Sequence, residues 1–437
     1  MKAYITNDSK KMYWAECGDF EHGENAMRTL RIYRDNKYQC IRGFGGAFTQ
    51  SSGLNLEKLP EEKQKQFFRD YFGKEGLNYN LGRVHINSCD FSEGDYAYLN
   101  AASDPLSRFD LSIDERHIFP MLKGASEFGE IELLASPWSP PVYMKTNGDM
   151  KHGGSLKHEF YGDWAAYMVK FVQEYRKRGA NITMISVQNE PAATQTWESC
   201  LYSAEEEGSF AASFLGPALE AAGLSDVKVF VWDHNKEILF DRALGSMSVP
   251  GADKYIGGFA FHWYTGDHFD ALRLTQERFP NKELLFTEGC VEYSRFADSD
   301  EVRKAEMYAH DMLGNLSAGA TGAIDWNLLL DYKGGPNHVG NFCAAPIMCN
   351  EDFTDYEKRL SYYYIGHFSK FIQKGARRLA TSVCSTDIEA TAFENPDGSV
   401  TAVLLNRTFA DQWFALTDGR ESRYVTLPAH SIMTVVF

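Results

Sequence analysis

Residues 184–191, with the sequence MISVQNEP, form a short apolar run that ends abruptly around Glu190. Apolar residues followed at once by an amide, an acid and a proline predict a buried parallel strand that stops at a loop. Residues 283–290, ELLFTEGC, repeat this pattern and place Glu288 at the end of the second run. In barrels of parallel strands, catalytic groups lie at the carboxyl ends of the strands. The two glutamates are therefore predicted to share one face of such a barrel.

Eight strand-like segments alternate with helix-like segments across residues 41–373. The strands are predicted to end within residues 43–46, 83–86, 133–136, 186–189, 229–232, 259–262, 285–288 and 323–326. Helices are predicted at residues 64–72, 114–128, 164–178, 204–222, 269–279, 302–318 and 361–373. This alternation predicts an α/β fold, the (β/α)8 TIM barrel. The glycine-rich residues 43–46 lack the lysine of a phosphate-binding loop, so we expect them to allow close strand packing.

The two ends of the chain contain short strand-like segments instead of alternating strands and helices. Residues 1–40 contain short alternating segments such as 30–33, which are expected to be edge strands. Residues 374–437 contain further short strands separated by turn signals such as Asn395-Pro-Asp-Gly398. We expect both segments to form one small antiparallel β-sandwich side domain next to a catalytic barrel of residues 41–373.

Composition excludes several classes of partner. The chain has 437 residues and a net charge of −16, which disfavours nucleic acid and anionic membranes and favours a neutral small-molecule substrate. The sequence shows neither the apolar core of a signal peptide nor a run of transmembrane length. Eight dispersed cysteines are typical of free thiols in a reducing compartment, so we expect a cytoplasmic protein. No His-x-His or zinc-binding pattern occurs, and we expect neither a metal nor a cofactor.

Paired carboxylates at strand ends are what hydrolysis of a glycosidic bond needs. The catalytic acid should be buried or unpaired enough to hold a proton, whereas the nucleophile should stay ionised. Arg83 and Tyr264 lie at predicted strand ends, where a guanidinium and a phenol would hold Glu288 as a carboxylate in line for attack. Glu190 and Glu288 are accordingly the candidate catalytic residues.

Other strand ends carry groups suited to a sugar. Asn189 could hydrogen-bond the hydroxyl next to the anomeric carbon, and Asp90 could accept from two hydroxyls. Trp138, in a proline-rich loop, offers a flat face and an indole N–H. Trp326 and His262 end two further strands, and several such groups on one barrel face predict a carbohydrate site.

The ordered motifs resemble those of glycoside hydrolase family 30, within its glucosylceramidase branch. These motifs are GFGG (43–46), SCDFS (88–92), SPWSPP (136–141), KTNG (145–148), NEP (189–191), HWY (262–264), TEG (287–289), DWN (325–327) and GGPN (334–337). The resemblance implies a barrel with a β-sandwich side domain and retaining hydrolysis of β-glycosides without a cofactor. It implies Glu190 as acid/base and Glu288 as nucleophile. The remaining implied roles are sugar contacts for Asp90, Trp138, Asn189, Trp326 and Asn341, and support of the carboxylates by Arg83, His262 and Tyr264.

The loops at residues 197–202 and 331–342 depart from the lipid-hydrolysing members of that branch, and His338 stands where those members resemble one another in a tryptophan. Together with the negative charge, this favours a soluble β-glucoside or short oligosaccharide cleaved in exo fashion. The alternatives are a β-xylosidase, β-fucosidase or β-1,6-glucanase of the same family, or a carbohydrate-binding protein without catalysis. A metal-dependent barrel hydrolase would need clustered histidines, which the sequence lacks.

Overall fold

The computed structural model describes residues 1–18, 20–25, 27–296 and 299–437. Its strands, in chain order, are β1 (Lys2–Asn7), β2 (Met12–Cys17), β3 (Thr29–Cys40), β4 (Gly43–Ala47), β5 (Leu81–Ile86), β6 (Glu132–Pro137), β7 (Asn181–Ser186), β8 (Lys228–Asn235), β9 (Ile256–His262), β10 (Glu283–Glu288), β11 (Val291–Glu292), β12 (Gly322–Asn327), β13 (Cys343–Ala344), β14 (Ile347–Cys349), β15 (Tyr356–Lys358), β16 (Arg377–Ser382), β17 (Glu389–Glu394), β18 (Val400–Asn406), β19 (Gln412–Thr417), β20 (Ser422–Leu427) and β21 (Ser431–Val436).

The helices run between these strands. They are α1 (Gln50–Lys58), α2 (Glu61–Phe72), α3 (Ser112–His117), α4 (Phe119–Ser126), α5 (Tyr161–Lys177), α6 (Ala204–Phe210), α7 (Gly216–Ala221), α8 (Leu239–Ser248), α9 (Ala252–Tyr255), α10 (Phe269–Arg278), α11 (Tyr293–Phe296), α12 (Glu301–Ser317) and α13 (Leu360–Ser369). A π-helical segment, Ala211–Leu215, joins α6 to α7. Within the described residues, no helix is both long and apolar enough to cross a lipid bilayer.

Eight parallel strands close into a barrel in the order β4-β5-β6-β7-β8-β9-β10-β12, which confirms the predicted TIM barrel. Strands β5, β6 and β12 are buried along their whole length, as expected of strands covered by helices outside and by the barrel interior inside. The glycines of β4 serve the close approach of neighbouring strands, because a Cβ at Gly45 would lie 2.0 Å from the carbonyl oxygen of Leu81.

A layer of apolar side chains fills the barrel interior. Seven strands each contribute one residue to this layer: Leu81, Leu134, Met184, Phe230, Ala260, Leu285 and Ile324. Since side chains alternate along a strand, the residues two positions further on also face the interior, nearer the carboxyl ends. Arg83, His262 and Trp326 are residues of this kind, so the apolar layer forms the floor beneath them.

The side domain is a nine-stranded sheet with the order β2-β1-β21-β18-β17-β16-β3-β19-β20. Residues from both ends of this order, including Ile5 of β1 and Val425 of β20, share one apolar core. The sheet therefore folds over on itself into the expected β-sandwich. One expectation was wrong: β3 is an inner strand rather than an edge strand, because β16 pairs on one side of it and β19 on the other. The predicted domain boundaries stay a prediction.

Candidate active site

The two strand-end glutamates lie in one cavity at the carboxyl ends of the barrel strands. Glu190 follows β7 in the chain and Glu288 is the last residue of β10. The cavity has a volume of about 150 Å³. Its lining includes the predicted residues Asp90, Trp138, Asn189, Tyr264, Trp326 and Asn341.

Both oxygens of Glu288 accept hydrogen bonds. Arg83 Nη1 donates to Oε2 at 2.6 Å, and the Tyr264 hydroxyl donates to Oε1 at 2.9 Å. A guanidinium and a phenol on separate oxygens fix the plane of the carboxylate. These are the two partners that the sequence predicted for Glu288.

Arg83 is wholly buried and is held by a second carboxylate, that of Asp233. Asp233 Oδ2 accepts from Arg83 Nη2 at 2.9 Å and from Ser136 Oγ at 2.8 Å. Its Oδ1 accepts from Thr287 Oγ1 at 2.6 Å and lies 3.1 Å from His262 Nε2. Burial alone would raise the pKa of Asp233, but the charge of Arg83 and the contacts of His262 and Thr287 hold it below its usual range. Asp233 therefore anchors Arg83 and His262 behind the cavity.

Arg83 also orients Asn189. Its Nη2 donates to Asn189 Oδ1 at 2.7 Å. A guanidinium can only donate, so the amide oxygen of Asn189 must face Arg83. The NH2 group of Asn189 is then the part of the side chain available to a ligand.

Glu190 occupies a constrained turn. Its φ is 48°, in the left-handed region that non-glycine residues rarely adopt, and its N–H donates to the Asp233 carbonyl at 3.0 Å. Gln195 Nε2 lies 3.3 Å from Oε2, and His262 Nδ1 lies 3.4 Å from Oε1. Backbone strain of this kind is typical of functional sites.

The proton distribution differs from the expectation for a catalytic acid. Burial would raise the pKa of Glu190, but the charges of His234 and His262 outweigh it and lower the pKa to about 2. Conversely, burial would lower the pKa of His262, yet the negative charges around the ring raise it to about 9. In the unliganded site Glu190 is buried but paired with His262, and this pairing opposes the protonated state expected of a catalytic acid.

The carboxylates of Glu190 and Glu288 are close together. One oxygen of each lies within 4.8 Å of the other and of a ring nitrogen of His262. His262 Nδ1 is 3.9 Å from Glu288 Oε1, so the ring stands beside both acids.

Two tryptophans form an aromatic wall of the cavity. Trp138 and Trp326 stack with their ring centroids 5.3 Å apart at an interplanar angle of 25°. The guanidinium carbon of Arg83 lies 4.7 Å from the Trp138 ring centroid, which fixes that ring from behind. Flat apolar faces beside polar groups suit a sugar ring.

Asp90 lies across the same cavity. Its Oδ2 accepts from Asn337 Nδ2 at 3.1 Å and from Asn341 Nδ2 at 3.2 Å. Burial and the charge of Glu288 raise the pKa of Asp90 to about 8, against the opposing hydrogen bond from Asn341. A carboxyl group whose pKa is raised in this way can hold a proton, and it can then both donate to and accept from sugar hydroxyls.

Comparison with known families identifies this arrangement. The profile described as "Glycosyl hydrolase family 30 TIM-barrel domain" matches residues 41–372, and "Glycosyl hydrolase family 30 beta sandwich domain" matches residues 375–435. The chain belongs to glycoside hydrolase family 30. This confirms the resemblance noted from the sequence motifs, and the protein is a glycosidase.

This family 30 enzyme is similar to one curated relative and to two solved structures that carry different names. The chain is 36% identical to the lysosomal acid glucosylceramidase of Mus musculus over 93% of this chain and 83% of that protein. The crystal structure of SrfJ from Salmonella typhimurium superposes with a TM-score of 0.96 at 39% identity, covering 100% of this chain and 99% of SrfJ. The endo-β1,6-glucanase BT3312 superposes with a TM-score of 0.91 at 28% identity, covering 99% and 98%.

The sequence missed several residues of the family 30 site. Gln195, beside Glu190, lies in a loop with no periodic pattern that could have marked it. His234, whose Nε2 is 3.7 Å from Glu190 Oε1, follows a register shift in β8 between Trp232 and His234. The prediction ended that strand at Trp232, and an irregular strand end gives no signal in a binary apolar pattern.

Among the larger cavities of the described residues, two lie at the opposite end of the barrel from this chemistry. They measure about 460 and 620 Å³ and are lined by residues at the amino-terminal ends of the strands, such as Arg42 and Ile131. In this fold that end of the barrel contributes stability rather than catalysis. An ion-pair network of Arg42 with Glu132 and Glu283 at the first cavity is consistent with that role.

Proposed function

We propose that this family 30 enzyme cleaves β-glucosides with retention of configuration and removes a terminal glucosyl unit from a soluble glucoside or short oligosaccharide. The observation that carries the proposal is the approach of the Glu190 and Glu288 oxygens to within 4.8 Å. Retaining enzymes hold their carboxyl groups about 5 Å apart, whereas inverting enzymes separate them by about 6.5–9.5 Å to admit a water molecule.

Glu288 acts as the nucleophile. Its carboxylate attacks the anomeric carbon, forming a glycosyl ester as the bond to the leaving-group oxygen breaks. Arg83 and Tyr264 donate to the two Glu288 oxygens and align them for this attack. The NH2 group of Asn189 faces the sugar hydroxyl adjacent to the reacting carbon.

Glu190 acts as acid and then as base. It must protonate the departing oxygen in the first step and take a proton from water in the second. His262 Nδ1, the ring nitrogen that can supply this proton to Glu190, lies 3.4 Å from Glu190 Oε1. When a neutral sugar excludes water, separated charges become more costly, and the proton moves from the imidazolium to the carboxylate.

The size of the cavity supports exo action. Its volume of about 150 Å³ is below the range of roughly 300–1,000 Å³ typical of sites for drug-sized ligands. A cavity this small, walled by Trp138, Trp326 and Asp90, suits one sugar ring. The rest of the substrate would lie outside it.

The test is hydrolysis of an aryl β-glucoside by Glu288→Gln, with NMR of the first product anomer formed by the native enzyme. We expect turnover to fall by at least about 10⁴-fold at an unchanged melting temperature, and the first product to be the β-anomer. The control is Glu237→Gln, a change at an exposed carboxylate that accepts from Thr265. Wild-type turnover by Glu288→Gln, or a first product with inverted configuration, would refute the proposal.

A β-1,6-glucanase is the second candidate, favoured by the similarity to the endo-β1,6-glucanase structure. The two candidate functions are distinguished by a panel of substrates. The panel contains nitrophenyl β-glucoside, β-xyloside and β-fucoside, β-1,6-glucan, and glucosylceramide in micelles. Release of glucose from the ends of the substrate supports the first proposal, and internal cleavage of β-1,6-glucan supports the second. The net charge of −16 is the reason for proposing a soluble substrate rather than a membrane glycolipid.

A further inference from the structure

Three side chains with metal-binding atoms converge on the rim of the barrel, outside the catalytic cavity. Asp95 lies on the loop after β5, Glu198 on the loop after β7 and His338 on the loop after β12. One atom of each lies within 4.8 Å of the others. No local sequence pattern marks this group, because its members are about a hundred or more positions apart in the chain.

Glu198 is the most unusual member of this group. It is 1% exposed, and within the described residues neither carboxylate oxygen has a hydrogen-bond partner. The neighbouring Ser88 hydroxyl donates elsewhere, to the Tyr96 carbonyl at 3.2 Å. A buried carboxylate without partners carries a large desolvation cost, and such groups usually mark an ion or another ligand.

His338 presents a lone pair to the same point. Its Nδ1 lies 3.3 Å from the Ser92 carbonyl oxygen, which can only accept, so Nδ1 carries the hydrogen. In the neutral ring, Nε2 then has a free lone pair facing Asp95 and Glu198. Metal-binding histidines characteristically donate their other N–H to a carbonyl in this way.

We propose that Asp95, Glu198 and His338 bind a single Zn²⁺ ion. His338 Nε2 lies 3.2 Å from Asp95 Oδ1 and 3.5 Å from Glu198 Oε2. In a tetrahedral zinc site with bonds of about 2.0–2.1 Å, neighbouring donor atoms lie about 3.3–3.4 Å apart. Ca²⁺ and Mg²⁺ prefer oxygen donors throughout, so the imidazole disfavours both, and among the metals that bind imidazole the donor spacing fits tetrahedral zinc.

The surroundings leave the site accessible. The Asp95 side chain is 35% exposed, which provides an entry path and room for water as the fourth ligand. Lys151 pairs with Asp95 through the other oxygen, with Nζ 3.0 Å from Oδ2. Two carboxylates against one ammonium leave the group with a net negative charge, which attracts a cation.

The ion would brace the sugar cavity without touching the sugar. The backbone N–H of His338 donates to the backbone carbonyl of Asp90 at 3.1 Å. Trp197, the residue before Glu198, lines the sugar cavity. Fixing His338 and Glu198 to one ion joins the loop that carries Asp90 to the loop that carries Trp197. These residues are positioning residues, and their effect should appear in KM more than in kcat.

The experiment is calorimetric titration of the chelator-treated, desalted protein with Zn²⁺ alone, together with its melting temperature. We expect one equivalent to bind and to raise the melting temperature. Glu198→Gln and, as a second variant, His338→Gln should weaken binding by at least about 100-fold. Co²⁺ substituted at the site should give the visible absorption of a tetrahedral N/O centre in the wild type only.

Two controls locate the ion. Glu190→Gln alters the other close group of potential ligands, Glu190, His262 and Glu288, and should leave Zn²⁺ binding intact. Glu57→Gln alters a carboxylate that pairs with a histidine, His117, at 2.7 Å and should also leave it intact. Absence of stoichiometric binding by the wild type, undiminished binding by both Glu198→Gln and His338→Gln, or loss of binding in Glu190→Gln would overturn the proposal.

Discussion

Tyr264 contributes a single hydroxyl to Glu288, at 2.9 Å, and Tyr264→Phe removes that donor while keeping the ring. A hydrogen bond to a charged group contributes about 1.5–3 kcal/mol. If the bond is fully expressed in the transition state, kcat/KM for an aryl β-glucoside should fall by about 10- to 150-fold. Steady-state kinetics at the pH optimum measures this change.

The matched control is Tyr38→Phe, since Tyr38 is 46% exposed and belongs to the side domain. Its kcat/KM should equal that of the wild type. A Tyr264→Phe enzyme with unchanged kcat/KM would show that the phenol does not assist Glu288.

The predictable residues of the site share one property. Glu190, Glu288, Arg83 and His262 lie at or just beyond the ends of strands that their apolar pattern marks. Gln195 reaches Glu190 from an irregular loop, where conformation depends on contacts distant in sequence rather than on local pattern. The protonation state of Glu190 could not be predicted from the sequence either, because it depends on the His262 imidazole that β9 places beside it.

At the scale of secondary-structure elements, Asp114 of α3 joins three parts of the barrel wall. It is fully buried and accepts from the hydroxyls of Tyr98 and Tyr175, each at 2.7 Å, and from Tyr96 at 3.4 Å. Burial raises its pKa to about 7, although these hydroxyls oppose the shift. Because the pKa of Asp114 is higher in the folded protein than in the unfolded chain, this group stabilises the fold most below about pH 4. Its contribution to the free energy of unfolding is lost as the pH rises to about 7.

Asp114→Asn removes this titration while keeping a polar group among the tyrosines. We therefore expect the melting temperature of the variant relative to the wild type to rise between pH 4 and pH 8. Differential scanning fluorimetry at several pH values measures it, with exposed Asp163→Asn as the control. A difference that is constant with pH would contradict the raised pKa.

Helix boundaries show where local pattern fails. A single helix was predicted over residues 114–128, but the structure ends α3 at His117 and begins α4 at Phe119, with Pro120 in its first turn. Proline cannot supply an N–H inside a helix and is tolerated at its start. Helix α1 was missed because its Gln-Ser-Ser-Gly opening is a poor helix former, and Thr49 starts it by accepting from the Ser52 N–H.

At the scale of the whole molecule, His367 of α13 connects the barrel to the sandwich. Its Nδ1 is 2.8 Å from Thr434 Oγ1 and its Nε2 is 2.9 Å from Thr6 Oγ1. Thr434 donates to the His367 carbonyl, so its oxygen accepts from Nδ1, whereas Thr6 accepts from the Trp14 N–H and donates to Nε2. The network is complete only for the neutral ring.

Acid should therefore loosen this interface. Burial lowers the pKa of His367 to about 3, so the unfolded chain takes up a proton first as pH falls below about 6.5. The contribution to stability is full above that pH and declines between about 6.5 and 3. His367→Gln should be less stable than the wild type at pH 8 but should lose less of its melting temperature between pH 7 and pH 4.5.

Exposed His152→Gln is the control for this change and should follow the wild-type profile. Identical acid sensitivity in His367→Gln would place the acid-labile group elsewhere. The barrel and the sandwich were both predictable because each has a regular pattern of apolar segments. The contacts of His367 were not, since they join residues 6, 367 and 434, which no local pattern relates.

The position of β21 in the sheet has a consequence for biosynthesis. It pairs with β1 on one side and β18 on the other, and Lys2 pairs with Val436 although 434 positions separate them. A ribosome therefore completes the entire barrel before β1 meets its second neighbour in the sheet, β21. Until then the β1–β2 hairpin exposes an open edge to other nascent chains, a hazard that a chaperone bound to the emerging amino terminus would reduce.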